Sequence, residues 1–164
     1  MSIIYKSLRV GKYGKEFELY KFRTLKDKVD TSSSFAQEDQ YARFGKFLRK
    51  TKLDELPSLI NILKGHMGIF GYRPEEPRTF NILPDHMKEL LGEYKPGLMD
   101  LSSLHFFNEE GIVQLGEDAH EVYWKRIRPI KYSLQVFYLQ NKCFLLNMAI
   151  LYLAVRKILK SFFK

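Results

Sequence analysis

Two adjacent acids, Asp54 and Glu55, lie in the segment "TKLDELPSLINILKGHMG", just before a proline and a short apolar run. Neighbouring residues on a helix point about 100° apart, so the two carboxylates cannot face each other as an acid dyad. They can instead divide the work between a nucleophile and its partner. They can also hold a hard cation such as Mg²⁺ together with substrate phosphates.

A helix cap is the structural interpretation of the same pair. Leu56, Leu59, Ile60 and Leu63 recur at helical spacing, and a proline is tolerated in a first helical turn. Asp54 would then lie at or near the N-cap and accept hydrogen bonds from free N–H groups, while Glu55 favours the positive end of the helix dipole. The pattern alone leaves both interpretations open.

Three arginines lie beside the ends of predicted helices or strands: Arg23, Arg49 and Arg73. An arginine side chain can bind a phosphate through two parallel hydrogen bonds. Each of them alone is more often a solvated surface charge. Together with the acids and the glycine- and proline-rich "GHMGIFGYRPEEP", they favour a site for a phosphorylated ligand.

The whole chain is basic, with a formal net charge of +8 over 164 residues. Such a charge favours an anionic partner: nucleic acid, acidic lipid or a phosphorylated small molecule. No nucleic-acid-binding motif occurs, and the aromatic residues are mixed with aliphatic ones at core-like spacing, so nucleic acid is not expected. The four histidines show no metal-ligand spacing, and the single cysteine excludes an internal disulfide.

The predicted helices and strands that carry these acids and arginines indicate one helix-rich α+β domain over residues 1–164. Residues 3–25 have the aromatic and branched pattern of a β-hairpin around the turn "GKYGK". The following elements are a serine-rich loop (26–40), a basic amphipathic helix (41–50), a helix at 79–91, strand or loop at 93–107, and a helix at 118–140 broken at Pro129.

The C-terminal residues 143–164 predict a basic amphipathic helix. Their apolar run, "CFLLNMAILYLAV", has 13 residues, which is too short for a bilayer span of about 20. Four cations and no acid accompany it: Arg156, Lys157, Lys160 and Lys164. This composition fits a helix lying on an anionic membrane surface. A core-packing helix with a solvated basic end fits the periodicity equally well.

Three blocks of sequence then resemble a known family. "RVGKYGKEFELYKFRTL", "RFGKFLRKTKLDELPSLINILKGHMGIFGYRPEEP" and "YKPGL" resemble, in this order, the bacterial sugar transferases, which are monotopic polyprenyl-phosphate phosphoglycosyl transferases. The resemblance implies transfer of a sugar-1-phosphate from a UDP-sugar to a polyprenyl phosphate, with release of UMP and with Mg²⁺ as cofactor. It also implies a peripheral or monotopic protein on the cytoplasmic face of the bacterial inner membrane, starting a surface polysaccharide or glycan.

The resemblance also implies a role for individual residues. In the "DELP" block, Asp54 would be the nucleophile that forms a covalent phosphosugar intermediate, and it would bind the magnesium ion. Glu55 would assist it, and Arg73 of the "RP" block would lie near the phosphates. Arg23 and Arg49 match further basic positions of the family.

The chain also departs from the family pattern. It begins after the apolar re-entrant helix with which the family's chains usually start. His66, Gln135 and Asn147 stand where family members often have an acid. These departures leave the acidic pair intact, and they suggest one alternative: a catalytically degenerate, membrane-associated scaffold of the same fold.

Overall fold

The predicted N-terminal hairpin is confirmed. The computed structural model describes residues 2–26, 41–107 and 119–162, without the side chains of residues 119 and 120. Strands β1 (Ile4–Val10) and β2 (Glu16–Phe22) pair in antiparallel register from Ile4–Phe22 to Val10–Glu16. Between them, Tyr13 and Gly14 adopt left-handed conformations with φ of 60° and 69°, which closes the turn tightly.

The rest of the described chain is mostly helical, which confirms the helix-rich α+β class. The helices, in chain order, are α1 (Gly45–Thr51), a 3₁₀ segment (Leu53–Ser58), α2 (Leu59–Leu63), α3 (Pro77–Asn81), α4 (Asp85–Gly92), α5 (Leu101–His105), α6 (Ala119–Val122), a π-helical turn (Tyr123–Ile127), α7 (Arg128–Asn141) and α8 (Phe144–Phe162). The 3₁₀ segment and α2 follow each other without a break, and together they are called the dyad helix below.

A second, very small sheet fixes the position of the glycine- and proline-rich loop. Strands β3 (Gly68–Phe70) and β4 (Gly97–Met99) pair in parallel. A Cβ added to Gly71 would lie 2.5 Å from the backbone nitrogen of Gly97. Only glycine allows such close backbone approach, and the segment that begins at Tyr72 is therefore held against β4.

The main hydrophobic core joins this loop to the helices that follow it. Its buried members come from the loop, from the connection between α3 and α4, and from α4, α5, α7 and α8: Tyr72, Leu83, Met87, Leu91, Leu104, Tyr138, Leu139, Ile150 and Ala154. A smaller cluster of Phe17, Leu19 and Met67 lies under the hairpin. The extent of the domain over residues 1–164 remains a prediction.

Three of the predicted boundaries were wrong. The helix expected at 79–91 is two helices, α3 and α4, because Pro84 lacks the N–H that would continue the first. The segment expected as strand or loop contains the short helix α5. Pro129 does not break the helical stretch from Ala119 to Asn141. It lies in the first turn of α7 after the π-helical turn, where a missing N–H costs little.

Helix α8 confirms a C-terminal helix within residues 143–164. Ile150 and Ala154 are buried, whereas Phe144, Leu145 and Tyr152 are exposed. Within the described ranges, none of the helices has the length and hydrophobicity needed to cross a membrane. The predicted serine-rich loop falls mainly on residues 27–40, which lie outside the described part of the chain.

Candidate active site

A sharp reversal of the chain sets the start of the dyad helix. Lys52 adopts the left-handed conformation, with φ 59° and ψ 15°, which costs a residue other than glycine about 1–2 kcal/mol. Its N–H donates to the Arg49 carbonyl at 3.2 Å, and its carbonyl accepts from the Glu55 N–H at 3.3 Å. Lys52 is the N-cap and its side chain makes no capping hydrogen bond, so Asp54, which the capping interpretation put at or near the N-cap, lies two positions inside the first turn.

Polar side chains attach the dyad helix to the hairpin. Asn61 is fully buried, and its amide donates to the Glu18 carbonyl at 2.6 Å and accepts from the Tyr20 N–H at 3.0 Å. Ser58 donates to the Tyr20 carbonyl at 2.8 Å. These bonds satisfy the edge of β2 as a neighbouring strand would. They also place the next residue, Lys21, beside Glu55.

Glu55 forms two ion pairs inside this contact. Its Oε1 lies 2.7 Å from Lys21 Nζ and 3.0 Å from Arg73 Nη2. Burial alone would raise the pKa of Glu55, but the positive charges of Lys21 and Arg73 outweigh it and hold that pKa well below its usual range. Glu55 is therefore ionised at neutral pH and fixes both cations in place.

Asp54 has a different environment, although it is the adjacent residue. It is 8% exposed, and its buried Oδ1 has no hydrogen-bond partner among the described residues. Burial, and then the negative charge of Glu55, raise the pKa of Asp54, whereas nearby cations oppose the rise. One carboxylate of the pair is thus committed to ion pairs, and the other has an oxygen available for chemistry.

A pocket opens beside Glu55 between the hairpin and the loop after β3. The charged residues of its lining are Arg9, Lys21, Glu55 and Arg73, and Ser58, Leu19, Met67, Pro74, Gly97 and Leu98 complete it. Three cations therefore line the pocket beside one carboxylate, Glu55, although Arg9 also pairs with Glu76 outside the lining. Cations clustered in this way can bind phosphate oxygens.

Arg9 was not predicted as a site residue. Its guanidinium lies 3.0 Å from Glu76 Oε1 and donates to the Pro74 carbonyl at 3.4 Å. Burial lowers the pKa of Arg9, and the loop holds the end of β1 through a bond from the Val10 N–H to the Glu75 carbonyl at 2.9 Å. Arg9 therefore belongs to the pocket wall and helps to fix the loop that carries Arg73.

Lys21, like Arg9, was not predicted as a site residue, and the pairing of the two hairpin strands would have identified both. Residues two apart on a strand face the same side, so Lys21 shares a face with the buried Phe17 and Leu19. Arg9 lies directly opposite Phe17 in the pairing. A cation on the buried face of a two-stranded hairpin needs a partner, which here is a carboxylate.

The other predicted arginines contact residues outside the pocket lining. Arg23 donates from Nε to the Ser2 carbonyl at 3.0 Å. Arg49 on α1 donates to the Tyr41 hydroxyl at 3.4 Å. The structure therefore brings Asp54, Glu55 and Arg73 together, and a binding role for Arg23 and Arg49 stays a prediction.

The three residues that replace acids of the family pattern contact other residues of the protein. His66 is exposed at the end of the dyad helix, with its ring centroid 5.6 Å from that of Phe17. Asn147 on α8 accepts from the Tyr138 hydroxyl at 2.8 Å. Gln135 on α7 is 2% exposed and donates to Ser102 Oγ at 3.5 Å. The last two thus connect α7 with its neighbours.

The donor set permits a magnesium ion with one protein ligand. No group of three or more histidines, cysteines or acids occurs in the part of the chain that the structure describes, and Glu55 is occupied by two cations. Asp54 Oδ1, in contrast, is a hard oxygen donor without a partner among those residues. Magnesium is commonly held by one or two carboxylates together with substrate phosphates and water, so Asp54 fits that cation.

Known proteins similar to this chain are sugar transferases. The sugar transferase EpsL of Bacillus subtilis is 33% identical over 162 residues, covering 97% of this chain and 71% of EpsL. The UDP-N-acetylgalactosamine-undecaprenyl-phosphate N-acetylgalactosaminephosphotransferase of Aeromonas hydrophila is 30% identical over 94% of this chain and 34% of its own length. A putative undecaprenyl-phosphate N-acetylgalactosaminyl 1-phosphate transferase of B. subtilis is 48% identical over 79 residues, covering 45% of this chain and 43% of its own.

Similarity to the family as a whole covers nearly the whole chain. The family model for bacterial sugar transferases matches residues 1–161. The matched range contains the hairpin, the dyad helix, the pocket and all of α8 except its last residue. The chain therefore belongs to the bacterial sugar transferase family.

Proposed function

We propose that this chain transfers a sugar-1-phosphate from a UDP-sugar to a polyprenyl phosphate, releases UMP, and passes through a covalent phosphosugar intermediate on Asp54. The observation that carries the proposal is the buried Asp54 oxygen without a hydrogen-bond partner among the described residues. Asp54 does not line the pocket itself, but it directly precedes Glu55, which lines it together with Arg9, Lys21 and Arg73. The names of the relatives support the reaction class, since they describe sugar-phosphate transfer to undecaprenyl phosphate.

In the first step, a carboxylate oxygen of Asp54 attacks the phosphorus that carries the sugar. An aspartyl-phosphate bond forms, and the bond from that phosphorus to the bridging oxygen of the diphosphate breaks. UMP leaves with the bridging oxygen and the bonding electrons. Arg9, Lys21 and Arg73 would bind the phosphate oxygens and reduce their repulsion of the attacking carboxylate.

In the second step, a phosphate oxygen of the polyprenyl phosphate attacks the same phosphorus. The aspartyl-phosphate bond breaks, Asp54 is restored as a carboxylate, and the product is a polyprenyl diphosphate sugar. A covalent intermediate divides one difficult displacement into two easier ones. A magnesium ion held by Asp54 and the substrate phosphates would supply charge neutralisation.

Glu55 supports this chemistry without reacting. Its two ion pairs hold Lys21 and Arg73 at the pocket wall. Its negative charge contributes to the raised pKa of Asp54, and a carboxylate of higher pKa is a better nucleophile once ionised. Glu55 therefore acts as the assistant that the family resemblance implies.

The acceptor places the reaction at a membrane, and two exposed apolar surfaces support this location. The outer side of the dyad helix exposes Leu56, Leu59, Ile60 and Leu63. Helix α8 exposes an apolar side that also carries cations, and Phe162 at its end packs on Phe47 of α1 with ring centroids 6.0 Å apart. We infer that the protein lies on the cytoplasmic face of the bacterial inner membrane with these surfaces in the lipid headgroup region.

The test is UMP release from a panel of UDP-sugars. The full chain is incubated with Mg²⁺ and liposomes that contain polyprenyl phosphate, beside an Asp54→Asn variant. Release that needs both the lipid acceptor and Asp54 supports the transferase, and the active UDP-sugar identifies the sugar. Trapping of a radiolabelled sugar-phosphate on wild-type protein when the acceptor is omitted supports the covalent intermediate.

Absence of release would favour the alternative of a catalytically degenerate scaffold. The panel is therefore repeated in detergent with a short-chain polyprenyl phosphate, so that poor membrane contact cannot mask turnover. Failure in both formats, with a folded protein by circular dichroism, contradicts the proposed function.

A further inference from the structure

The Arg73 guanidinium contacts both the acidic pair and helix α5. Its Nη2 donates to Glu55 at 3.0 Å, and its Nη1 lies 3.5 Å from Ser103 Oγ on α5. The Arg73 side chain is 40% exposed, so burial alone does not fix its orientation. The contact with Ser103 thus adds a constraint on this guanidinium that does not come from Glu55.

Asp100 determines what Ser103 can offer to Arg73. Asp100 is 2% exposed and accepts hydrogen bonds from three groups: the Ser103 N–H at 2.9 Å and the hydroxyls of Ser102 and Ser103. A hydroxyl has a single proton to donate. Because the Ser103 hydroxyl donates to Asp100, its oxygen lone pairs are directed to other groups and can accept from Arg73.

We propose that Asp100 and Ser103 are positioning residues that orient Arg73 for the donor diphosphate. The inference rests on the proposed function, in which Arg73 binds phosphate. Asp100 and Ser103 act only through Arg73, in a chain that runs from Asp100 through Ser103 to the pocket. Asp100 thereby orders a residue of the "RPEEP" loop, 27 positions earlier in the sequence.

The physical benefit is a lower entropic cost of binding. A partly exposed arginine loses considerable rotamer freedom when it binds a ligand. Two hydrogen bonds that hold the guanidinium before substrate arrives remove part of that loss from the binding step. Loss of the Ser103 bond should therefore weaken donor binding by about three- to tenfold, while the chemistry on Asp54 proceeds at its normal rate.

Two serines on the same carboxylate provide a matched pair of variants. Ser103→Ala and Ser102→Ala each remove one hydroxyl from Asp100, but only Ser103 contacts Arg73. We expect Ser103→Ala to raise KM for the UDP-sugar by about three- to tenfold with kcat unchanged. Ser102→Ala should lower Tm but leave KM within about twofold of the wild-type value. Ser103→Thr keeps the hydroxyl and should have the wild-type KM.

A double-mutant cycle tests whether the effect passes through Arg73. In an Arg73→Met background the Ser103→Ala change should add less than twofold to KM, because methionine has no donor for Ser103 and the contact is already absent. Equal effects of the two serine variants on KM, or a full Ser103→Ala effect in the Arg73→Met background, would overturn the inference.

A binding measurement separates the failure of this inference from that of the proposed function. UDP binding to the full chain is measured by calorimetry for the wild type and the two alanine variants. Wild-type binding with no difference between the variants overturns the positioning role alone. Wild-type protein that neither binds UDP nor releases UMP overturns the proposed function, and this inference with it.

Discussion

The dyad helix and α4 have similar sequence patterns but opposite orientations. Helix α4 buries Met87 and Leu91 against the core, and its charged residues face outward. The dyad helix instead buries Asp54, Ser58 and Asn61. Four of its six leucines and isoleucines are exposed, with Leu63 at 88%, whereas Ile62 packs on the small cluster under the hairpin.

What a helix packs against explains the difference. Helix α4 packs on side chains of a hydrophobic core, where burial of apolar area stabilises the fold. The dyad helix packs on the edge of β2, which presents backbone N–H and C=O groups that need partners. Amphipathic spacing therefore shows that a helix has an apolar and a polar side. The surface on which the helix packs determines which of the two is buried.

The largest expected effect comes from neutralising the inward carboxylate of the dyad helix. Asp54→Asn should lower UMP release by at least about 10³-fold, since an amide cannot serve as the nucleophile. The free energy of unfolding should stay equal or rise at neutral pH, because burial of the charged form is unfavourable at this position. Urea unfolding and the UMP assay check the two parts of the prediction.

The matched control lies on the other helix. Asp85 of α4 is exposed, with a side chain that is 91% accessible, and Asp85→Asn should change neither activity nor stability appreciably. An Asp54→Asn variant that keeps a tenth of the wild-type rate would contradict the assignment of the nucleophile.

Truncation of the inward residue on each helix should separate stability from activity. Leu91→Ala creates a cavity in the core and should lower the free energy of unfolding by about 2–5 kcal/mol. Asn61→Ala removes two hydrogen bonds and leaves two backbone groups of β2 unsatisfied, which should cost about 2–4 kcal/mol. Urea unfolding gives both values.

Activity per folded molecule distinguishes these two variants. Asn61→Ala should lower it strongly, because Lys21 then loses its fixed position beside Glu55. Leu91→Ala should retain most of it below the unfolding transition. Equal activity losses at equal stability would mean that the polar contact has no role beyond holding the fold together.

Acid should weaken the wild-type fold through Glu55 in particular. The folded pKa of Glu55 lies below its ordinary value of 4.5, so the unfolded state binds a proton more readily. The stabilisation by Glu55 is therefore complete above pH 4.5, and it is lost as pH falls from there toward the folded pKa. Glu55→Gln should lower stability at neutral pH by about 1–3 kcal/mol and flatten its dependence on pH below 4.5.

Urea unfolding at a series of pH values measures this slope. Glu89→Gln on the exposed side of α4 is the control, and it should retain the wild-type slope. A Glu55→Gln variant as steep as the wild type would show that other carboxylates dominate acid unfolding.

Local sequence patterns were sufficient for the elements that depend on neighbouring residues. The hairpin followed from alternation and a glycine-rich turn, and the C-terminal helix followed from its apolar periodicity. The resemblance to the family singled out Asp54, Glu55 and Arg73, and the structure brings these three together.

Contacts between distant segments could not be predicted in the same way. Recognition of Arg9 and Lys21 required the hairpin register, and the inward side of the dyad helix depended on the open edge of β2. The placement of Arg73 depends on the close approach of Gly71 and Gly97, 26 positions apart. The packing of the dyad helix on β2 and the approach of the two glycines are long-range contacts, for which a single sequence has no local signal.

The smallest expected effect concerns the outward side of the dyad helix. Leu63→Ser should leave the free energy of unfolding within about 0.5 kcal/mol, because Leu63 is already exposed in the folded protein. If this surface lies in the lipid headgroup region, the same change should weaken flotation with anionic liposomes by about three- to tenfold, since part of a leucine's burial energy is lost. Liposome flotation of the full chain provides the measurement.

Ile82→Ser is the matched control for this last prediction. Ile82 is also exposed, at 65%, but it follows α3 and belongs neither to the dyad helix nor to α8. Its substitution should leave flotation unchanged. If both variants lose binding equally, the membrane contact is not specific to the dyad helix. If only Leu63→Ser does, the helix presents its apolar side to lipid, where the acceptor phosphate is found, and its polar side carries Asp54.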